Sequence, residues 1–548
     1  MVEPISTASN VAHLETSRRR AYTKPPEDDQ RPVIRIMPGE SSRHVDEAHD
    51  VLVKANAGLY RYGERLVHIL WDDIRVAGGG IARALRLFET TPANIRERLE
   101  KIARFEKWDV RANDFRVCGC PKDMPEMLLD RGAWLLPPLL GVVTAPTLRP
   151  DGSIIDTPGY DAATGIVYDP HGKTFPRIDH APSKADAQIA LAQLYHLLRG
   201  FMFTSNADRS VAISAIITAC IRRAMPVAPM HAFSAPTPGS GKSMLVDIAS
   251  VIATGWRAAV TSADDEKYST VELGKRITAS LLMGHSIISI DNVDRPLSGG
   301  FLCQCLSEHI LSLRVLGLSK QVVTPNSAMY FATGNNLTIM NDATRRVLVG
   351  TLNPNVERPE LRRFPFNAVK LALRARPKLV AHVLTIVRAY LASGERAQCT
   401  PLGSYEEWTH LVREPLVWLG QEDPAGVLEK VRADDPELAK TRALAAAWLR
   451  VIGGKTARVR DVIHAAMAQR AQDSDGEEDD YYENADLRDA LRAVAEGKGR
   501  EDISPDKLGW WLKRHRAAIV LVEGRSYRFA SAAASGGHGV GWALEAVT

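Results

Sequence analysis

Residues 228–249 read APMHAFSAPTPGSGKSMLVDIA, and this stretch decides the fold that we predict for the chain. A short apolar run passes through a loop rich in glycine, proline and serine into a segment with helical spacing. That order is the strand–loop–helix context that a phosphate-binding P-loop requires. Glycines at 239 and 241 leave room for backbone N–H groups to face phosphate oxygens. The predicted nucleotide-binding residues are Pro236, Thr237, Pro238, Gly239, Ser240, Gly241, Lys242 and Ser243.

The last two of these residues have specific roles in the prediction. Lys242 would reach the β- and γ-phosphates, and Ser243 would hold Mg²⁺ at the start of the helix. The usual pattern is G-x-x-x-x-G-K-[ST], and Pro236 replaces its first glycine. The alternative is an ordinary glycine-rich loop with a lone lysine, which the flanking strand and helix disfavour.

Composition sets the broad class of the protein. The 548 residues are 45% hydrophobic, as in a soluble globular protein, and their number suggests two to four domains. A net charge of +4 is too small to indicate nucleic acid, so any basic surface must be local. No apolar run is long enough for a membrane span and no apolar signal core is present, so we expect a cytoplasmic protein.

The cysteines are interpreted as reduced thiols, because their spacing lacks C-x-x-C pairs and disulfide-like density. A zinc site built on Cys118 and Cys120 would need partners that the nearby sequence does not offer. The six cysteines are Cys118, Cys120, Cys220, Cys303, Cys305 and Cys399.

A second acidic motif follows the loop. Residues 286–290 form an apolar strand that ends at Asp291, and we predict that this carboxylate helps Ser243 to organise Mg²⁺. The next residue is Asn292, where many related motors carry a glutamate that orients water. Asp294 or Glu272 could supply that carboxylate, and the sequence does not choose between them.

Three further segments complete the predicted motor. The apolar strand 328–334 leads into Asn335 and Asn336, whose amides could sense the γ-phosphate. Arg345 and Arg346 could reach the nucleotide of a neighbouring subunit, or form a surface ion-pair cluster instead. Residues 313–317 and 321–324 read as a hairpin with a basic tip at Leu318, Ser319 and Lys320.

The segments before the motor are predicted to be an arm and a domain. Residues 1–32 are expected to be a disordered arm. Residues 33–185 are expected to be an α/β domain, in which 91–105 is a helix and 146–165 contains short strands. Asp72 and Asp73 are assigned no chemistry, because one carboxylate pair is a weak signal.

The motor domain is expected over 186–370 and a helical domain over 371–470, with Trp408, Trp418 and Trp448 in its core. An acidic linker, 471–483, then leads to a winged-helix module, 484–548. Ser504 and Pro505 begin a helix in that module with a basic end. This end would contact DNA, although a solvated helix face is the alternative. Its basic residues are Lys513, Arg514 and Arg516.

Together these motifs resemble AAA+ helicases of superfamily three, and more closely the helicase part of primase–helicase proteins from phages, plasmids and integrated elements. The matching segments are 236–243, 287–292, 314–317, 331–336 and 342–346, with further similarity at 146–165 and 403–408. The resemblance implies an α/β P-loop AAA+ (ASCE) fold, ATP and Mg²⁺ as cofactors, and a homo-hexameric ring with ATP sites between subunits. It also implies that the hairpin carrying Ser319 and Lys320 grips one DNA strand.

The leading hypothesis is an ATP-dependent DNA helicase that serves replication of a mobile genetic element by moving on single-stranded DNA. Its partners would be single-stranded and duplex DNA and a separate primase or polymerase, since no primase signature is visible. The alternative is an ATP-gated initiator ring that binds origin DNA with little hydrolysis, which Asn292 favours. A third hypothesis, an AAA+ protein remodeller, is disfavoured by the basic hairpin and the winged-helix candidate.

Overall fold

The computed structural model describes residues 29–75, 81–262, 269–314, 321–469, 482–497, 502–533 and 540–547. The chain divides into two compact units. The first comprises residues up to Leu70 together with Phe88–Pro138, and the second comprises Trp71–Leu87 and the chain from Leu139 onward. Residues 1–28 of the predicted arm, nearly all of the predicted acidic linker, and the hairpin tip with Ser319 and Lys320 lie outside the described residues.

The first unit is an α/β structure. Its sheets have the strand orders β1-β5-β6 and β2-β3-β4. The residues of β3 and β4 that fall within Trp71–Leu87 belong to the second unit. Its elements are β1 (Val33–Ile36), α1 (Ser41–Lys54), β2 (Leu59–Tyr62), β3 (Arg65–Arg75), β4 (Ile81–Glu89), α2 (Pro92–Ile102), β5 (Arg104–Asp109), β6 (Asp114–Cys118) and α3 (Met124–Asp130).

The helix predicted over 91–105 is shorter in the structure. Thr91 caps α2 by accepting a hydrogen bond from Asn94 N, and Pro92 occupies its first position. The helix ends at Ile102 because Ala103 is extended and Arg104 begins β5, which pairs in parallel with β1. Long-range strand pairing therefore overrides the local helical pattern at its carboxyl end.

Short strands and two helices precede the main sheet of the second unit. The turn signals of the sequence correctly predict short strands between 146 and 165. Ser183 and Asp186 form a capping box at the first helix, and Ser205 caps the second. These elements are β7 (Gly141–Val143), β8 (Thr147–Leu148), β9 (Ile154–Ile155), β10 (Gly159–Asp161), β11 (Ile166–Tyr168), α4 (Lys184–Leu197) and α5 (Asn206–Ile221).

The main sheet is parallel throughout and has the order β13-β14-β17-β12-β18. Its first strand in the sequence, β12, lies between the two strands that come last. In such a sheet ligands bind beyond the carboxyl ends of the strands, where the strand order reverses. The elements of this region are β12 (Met230–Ala235), α6 (Lys242–Thr254), β13 (Ala259–Ser262), α7 (Ser269–Leu282), β14 (Ile287–Val293), α8 (Gly300–Ser307), β15 (Ile310–Arg314), β16 (Gln321–Pro325), β17 (Met329–Asn335) and β18 (Val347–Thr351).

Both faces of this sheet are covered, which explains the continuous apolar character of its strands. All six residues of β12 are buried. Phe233 packs into one apolar cluster with residues of α5 and α6, whereas Ala232 packs into a second cluster that contains residues of α7 and α8. The predicted hairpin is present as the antiparallel pair β15 and β16.

The remainder of the chain is mainly helical and ends in a small sheet of order β19-β22-β21-β20. Its elements are α9 (Ala368–Ser393), α10 (Glu406–Trp408), α11 (Glu414–Trp418), α12 (Val427–Ala433), α13 (Pro436–Val451), β19 (Ala457–Arg458), α14 (Val459–Ala466), α15 (Ala485–Ala495), α16 (Pro505–Arg514), β20 (Ile519–Val522), β21 (Arg525–Ala533) and β22 (Val540–Ala546). No helix in the described ranges has the length and apolar character needed to cross a bilayer.

Packing at the carboxyl-terminal end joins segments on both sides of the predicted linker. One apolar core contains Leu444 and Trp448 of α13, Leu487 of α15 and Leu544 of β22. It therefore begins before residue 484, where the sequence places the winged-helix module. Burial confirms that Trp408, Trp418 and Trp448 are core residues, each at most 9% exposed.

Arg376 of α9 fixes the carboxyl end of α6. Its Nε donates to Ile252 O at 3.0 Å, and one Nη donates to Ala253 O and to Thr144 Oγ1 at 3.0 and 2.9 Å. Burial lowers the pKa of Arg376 to about 10. A cation at this position also interacts favourably with the negative end of the helix dipole.

Replacing Arg376 by methionine should lower the free energy of unfolding by roughly 3 kcal/mol, because the buried acceptors lose their donor. Lys370→Met, at an exposed position on the same helix, should change stability by less than about 0.5 kcal/mol. Urea denaturation followed by circular dichroism measures both effects. Equal effects of the two substitutions would contradict the proposed anchoring role.

Candidate functional site: the loop at the carboxyl edge of the parallel sheet

The loop between β12 and α6 has the backbone that a phosphate cradle needs. Gly239 and Gly241 have φ angles of +73° and +100°, in the left-handed region that favours glycine. Ser240 Oγ donates to Thr237 O at 2.6 Å and tightens the turn. α6 starts directly afterwards at Lys242, so the N–H groups of its first turn are available to an anion.

The same glycines also allow neighbouring chain to approach closely. A Cβ at 239 would lie 2.9 Å from the backbone N of Glu360, and a Cβ at 241 would lie 2.9 Å from Phe201 Cε1. Phe364 also contacts position 241, at 3.3 Å. A side chain at 239 would therefore displace the segment that follows β18, and a side chain at 241 would displace the ring of Phe201.

Lys242 is held at the carboxyl edge of the sheet. Its Nζ donates to Asn335 Oδ1 at 2.7 Å and to Thr237 O at 3.2 Å. Partial burial lowers the pKa of Lys242, while the nearby Asp291 acts in the opposite direction. The structure thus brings together two predicted site residues that are 93 positions apart in the sequence.

Asp291 connects α6 with two neighbouring strands. Ser243 Oγ donates to its Oδ1 at 3.1 Å, and the hydroxyl of Thr333 on β17 donates to the same oxygen. Hydroxyl and carboxylate oxygens are the ligands that Mg²⁺ prefers. The predicted pair of Ser243 and Asp291 is therefore in contact, and the sequence analysis missed Thr333.

The two asparagines that follow the strands have unusual backbones. Asn292 and Asn336 have φ angles of +56° and +45°, and both side chains are exposed. Asn336 N donates to Ala235 O at 3.0 Å, so its backbone links the ends of β17 and β12. Asn292 lies where the register between β14 and β17 shifts. Of the predicted amides, Asn335 is the one whose contact with Lys242 is observed.

Asp247 is a carboxylate that the sequence analysis missed. It lies one helical turn after Ser243 on α6, and its Oδ2 is 3.5 Å from Arg257 Nε. Burial raises the pKa of the Asp247 carboxyl, Arg257 lowers it, and the negative charge of Asp291 raises it further. The i, i+4 spacing of Ser243 and Asp247 was the available signal in the sequence. Of the two carboxylates considered from the sequence, Glu272 pairs with Lys275 at 3.1 Å, and Asp294 is exposed.

The two arginines that were predicted to reach the nucleotide of a neighbouring subunit differ in exposure. Arg346 is 7% exposed, donates to Asp342 Oδ2 at 2.8 Å and also binds the hydroxyl of Ser307. Arg345 has a half-exposed side chain whose Nε donates to Asp342 Oδ1 at 2.6 Å. Burial argues against Arg346 as a residue that reaches another subunit. The prediction of an arginine that acts between subunits therefore rests on Arg345.

A third arginine near the loop was missed altogether. Both Nη atoms of Arg362 are buried without a hydrogen-bond partner, and its guanidinium lies 4.6 Å from the ring centroid of Phe364. Phe364 in turn contacts the Gly241 position and the ring of Phe201. The two Nη atoms could therefore donate hydrogen bonds to an anion bound beside the loop.

The predicted DNA-contacting residues lie at the exposed carboxyl end of α16, which ends at Arg514, so Arg516 follows the helix rather than belonging to it. Lys513, Arg514 and Arg516 are exposed, and Trp510, which is 62% exposed, lies beneath the Arg514 guanidinium at 5.4 Å. Leu508, Trp511 and Leu512 face the core instead.

Metal-binding clusters of other kinds were also considered. Within the described residues no group of three or more His, Cys, Asp or Glu side chains could hold a metal ion. All six cysteines are free. Oxygen ligands from Ser243 and Asp291, completed by phosphate and water, would suit Mg²⁺, which is seldom held by protein ligands alone.

No protein-family model and no curated protein matches the sequence. Among solved structures, the chain is similar to the apo C-terminal region of NrS-1, with a TM-score of 0.34, 14% identity, and coverage of 76% of this chain and 81% of that chain. It is also similar to a structure described as the SCCmec type IV Cch active helicase, with a TM-score of 0.32, 12% identity, and coverage of 82% and 99%. TM-scores below 0.5 do not establish a shared fold, and neither similarity supports a function for this chain.

The raised pKa of Asp247 has a consequence for stability. Ionisation of this carboxyl costs free energy in the folded state, so a penalty is present above its folded-state pKa and disappears below its unfolded-state pKa. Asp247→Asn should therefore raise the melting temperature at pH 7, and the difference from wild type should shrink as the pH falls toward about 4. Thermal unfolding across this pH range tests the effect. The exposed Asp434→Asn is the matched control, and a similar pH response in both variants would refute the role of burial.

Proposed function

We propose that this chain is a P-loop ATPase of the AAA+ class and an ATP-dependent DNA helicase of a mobile genetic element. One observation carries the proposal. Lys242, Ser243, Asp291 and Asn335 converge at the carboxyl edge of a parallel sheet, beside a loop with left-handed glycines. In parallel sheets of this kind a nucleoside triphosphate binds at the carboxyl edge, beside such a loop.

The roles of the chain's own groups follow from these contacts. Loop and helix N–H groups from 237 to 243 would hold the phosphates, and Lys242 would exchange part of its contact with Asn335 for the terminal phosphate. Ser243 and Asp291 would hold Mg²⁺, which supplies positive charge to the transferring phosphoryl group when bound. Arg362, with its unpaired Nη atoms, is a further candidate for phosphate contact.

Asn292 stands at the position where many related motors carry the glutamate that orients water, so this role falls to another carboxylate. We propose Asp247 for this role or for a supporting one. It is close enough to Asp291 for the two charges to interact, and its raised pKa suits a group that accepts a proton.

DNA contact is proposed for two basic elements. The hairpin of β15 and β16 would present Ser319 and Lys320 to single-stranded DNA. α16 is followed by the strands β20, β21 and β22, an order that a winged-helix module also has. The exposed Lys513 and Arg514 on α16 and the exposed Arg516 just after it would contact duplex DNA. The motif resemblance further supports a homo-hexamer with Arg345 acting between subunits. A cytoplasmic location and a separate primase or polymerase as partner are proposed from the other features of the sequence.

A second candidate function is an ATP-gated initiator ring that binds DNA with little hydrolysis. The observation that favours it is Asn292, which is exposed, has a φ of +56° and cannot act as a general base. DNA-stimulated ATP turnover with strand displacement would support the helicase. Tight ATP-dependent DNA binding without turnover would support the initiator.

Lys242→Ala should reduce ATP turnover by about 10²-fold or more, because the transferring phosphate loses its main cationic partner. The exposed Lys370→Ala is the matched control and should leave turnover unchanged. Both are measured by phosphate release with and without single-stranded DNA. Full activity in Lys242→Ala would exclude this loop as the ATPase site.

Replacing Lys513, Arg514 and Arg516 together by alanine should weaken duplex DNA binding at every sequence. The slope of log affinity against log salt should fall by about three, one for each lost phosphate contact. Fluorescence anisotropy at several salt concentrations measures the slope. Arg432→Ala removes an exposed arginine elsewhere, and an unchanged slope in the triple variant would count against α16 as a DNA-binding element.

A further inference from the structure

A separate cavity of about 470 Å³ lies near the amino-terminal edge of the parallel sheet. Its walls include the starts of β13 and β14 at Ala259 and Ile287, and the carboxyl end of α6 at Thr254. The proposed ATP site lies at the opposite edge of the sheet, because α6 begins there at Lys242. The volume falls within the range of small-ligand sites, about 300–1,000 Å³.

The charged side chains among the described residues that line this cavity are all basic. Among the described residues that line it there is no aspartate or glutamate, whereas four arginines and a histidine contribute to its walls. Two of these arginines form long ion pairs with carboxylates outside the lining, Arg86 with Asp72 and Arg257 with Asp247, each at 3.5 Å. The basic lining residues are Arg86, Arg222, Arg223, Arg257 and His285.

One of these cations is buried with neutral partners only. Arg222 is 4% exposed and donates to the carbonyl oxygens of Ala328, Met225 and Asn326 at 2.9, 2.7 and 3.1 Å. Arg376 donates to Thr144, which lines the cavity, and otherwise to the carbonyls at the end of α6. Burial lowers the pKa of Arg222 and of Arg376 to about 10, so both stay protonated at neutral pH. Two positive charges without a carboxylate partner in these contacts create a site that favours an anion.

A polar group at the cavity lacks a partner. His285 Nδ1 is buried and makes no hydrogen bond in the described structure. Burial, and then the charge of Arg86, lower the pKa of His285, so the imidazole is neutral and can donate or accept one hydrogen bond. Buried polar atoms without partners are rare in folded proteins and mark places where a ligand or water belongs.

The remaining wall is apolar and aromatic. Trp256 lies on it, and Trp71 packs edge-on against Trp256 with ring centroids 5.8 Å apart. Trp71 is fixed in turn, since its Nε1 donates to Asp169 at 2.8 Å. Aliphatic side chains complete this wall: Val142, Ala145, Ala219, Ile287 and Val380.

We propose that this cavity binds a nucleoside phosphate, with its phosphate toward the arginines and its base toward Trp256. A volume of about 470 Å³ suits one nucleotide rather than a polymer. Guanidinium groups bind phosphate through paired N–H donors, and an indole offers a face for stacking a base. The site is independent of the loop at 236–243, and its occupancy does not require hydrolysis there.

Equilibrium dialysis of the full chain with AMP and with ATP tests this proposal. In Lys242→Ala, which disables the loop, one nucleotide per chain should still bind. Adding Arg86→Ala and Arg257→Ala should weaken that binding about tenfold or more, because two charge-assisted contacts are lost. Their side chains are 37% and 69% exposed, so the fold should persist, and circular dichroism checks this.

Arg432→Ala in the same background is the matched control and should leave the affinity within about twofold. Photolabelling of the wild-type chain with 8-azido-ATP should also modify a peptide that contains Trp256 or His285, which tests the site without any substitution. Absence of nucleotide binding in Lys242→Ala, unchanged binding in the arginine variant, or binding of an oligonucleotide but not of AMP or ATP would overturn the proposal. If the wild-type chain binds one nucleotide and Lys242→Ala binds it equally well, the result would support this cavity and refute the loop as an ATP site.

Discussion

The carboxylate of Asp291 holds the candidate site together. One of its oxygens accepts hydrogen bonds from Ser243 on α6 and from Thr333 on β17, so three elements meet at one atom. Strand pairing fixes this meeting point: Asp291 pairs with Ser262, and Ala235 pairs with Asn335, at the same edge of the sheet. Since parallel strands end together at that edge, residues that follow different strands become neighbours. The contact between Lys242 and Asn335 depends on the same register.

The sequence predicted those parts of the site that follow local patterns. Apolar runs followed by glycine-rich or acidic residues predicted β12, its loop and Asp291, because burial and strand ends leave a signal within a few residues. The i, i+4 spacing of Ser243 and Asp247 was a further local signal, but the interaction of Asp247 with Asp291 and the contacts of Arg362 could not be predicted in this way. Their significance comes from Asp291 and from Phe364 beside Gly241, and no local pattern encodes those distances.

The same limit explains the differences in the rest of the fold. The helix predicted over 91–105 ends early because β5 pairs with a strand about seventy residues earlier in the chain. The carboxyl-terminal core includes Trp448 because it packs against Phe529, across the predicted linker, with ring centroids 5.6 Å apart. Arg346 looks like an exposed basic residue in the sequence, but in the structure it is buried and binds Asp342 and Ser307, which no local pattern indicates.

One helix relates the two edges of the sheet. The dipole of α6 favours an anion at Lys242, where the loop presents its N–H groups, and a cation at Thr254, where Arg376 binds the last carbonyls. The helix dipole is therefore an electrostatic partner of Arg376, although the groups that Arg376 contacts are all neutral. The same arrangement places positive charge at the amino edge of the sheet and leaves the negative charge of Asp291 at the carboxyl edge.

The segment after β18 constrains the loop from outside. Glu360 lies against Gly239, Phe364 lies against Gly241, and Arg362 between them has unpaired Nη atoms. Because a Cβ at 239 would lie 2.9 Å from Glu360, this glycine allows the segment to pack directly against the loop backbone. An anion that pairs with Arg362 would offset the cost of burying that guanidinium and would hold the segment against the loop. An anion bound to Arg362 would therefore favour the position in which residues 359–364 lie against the loop.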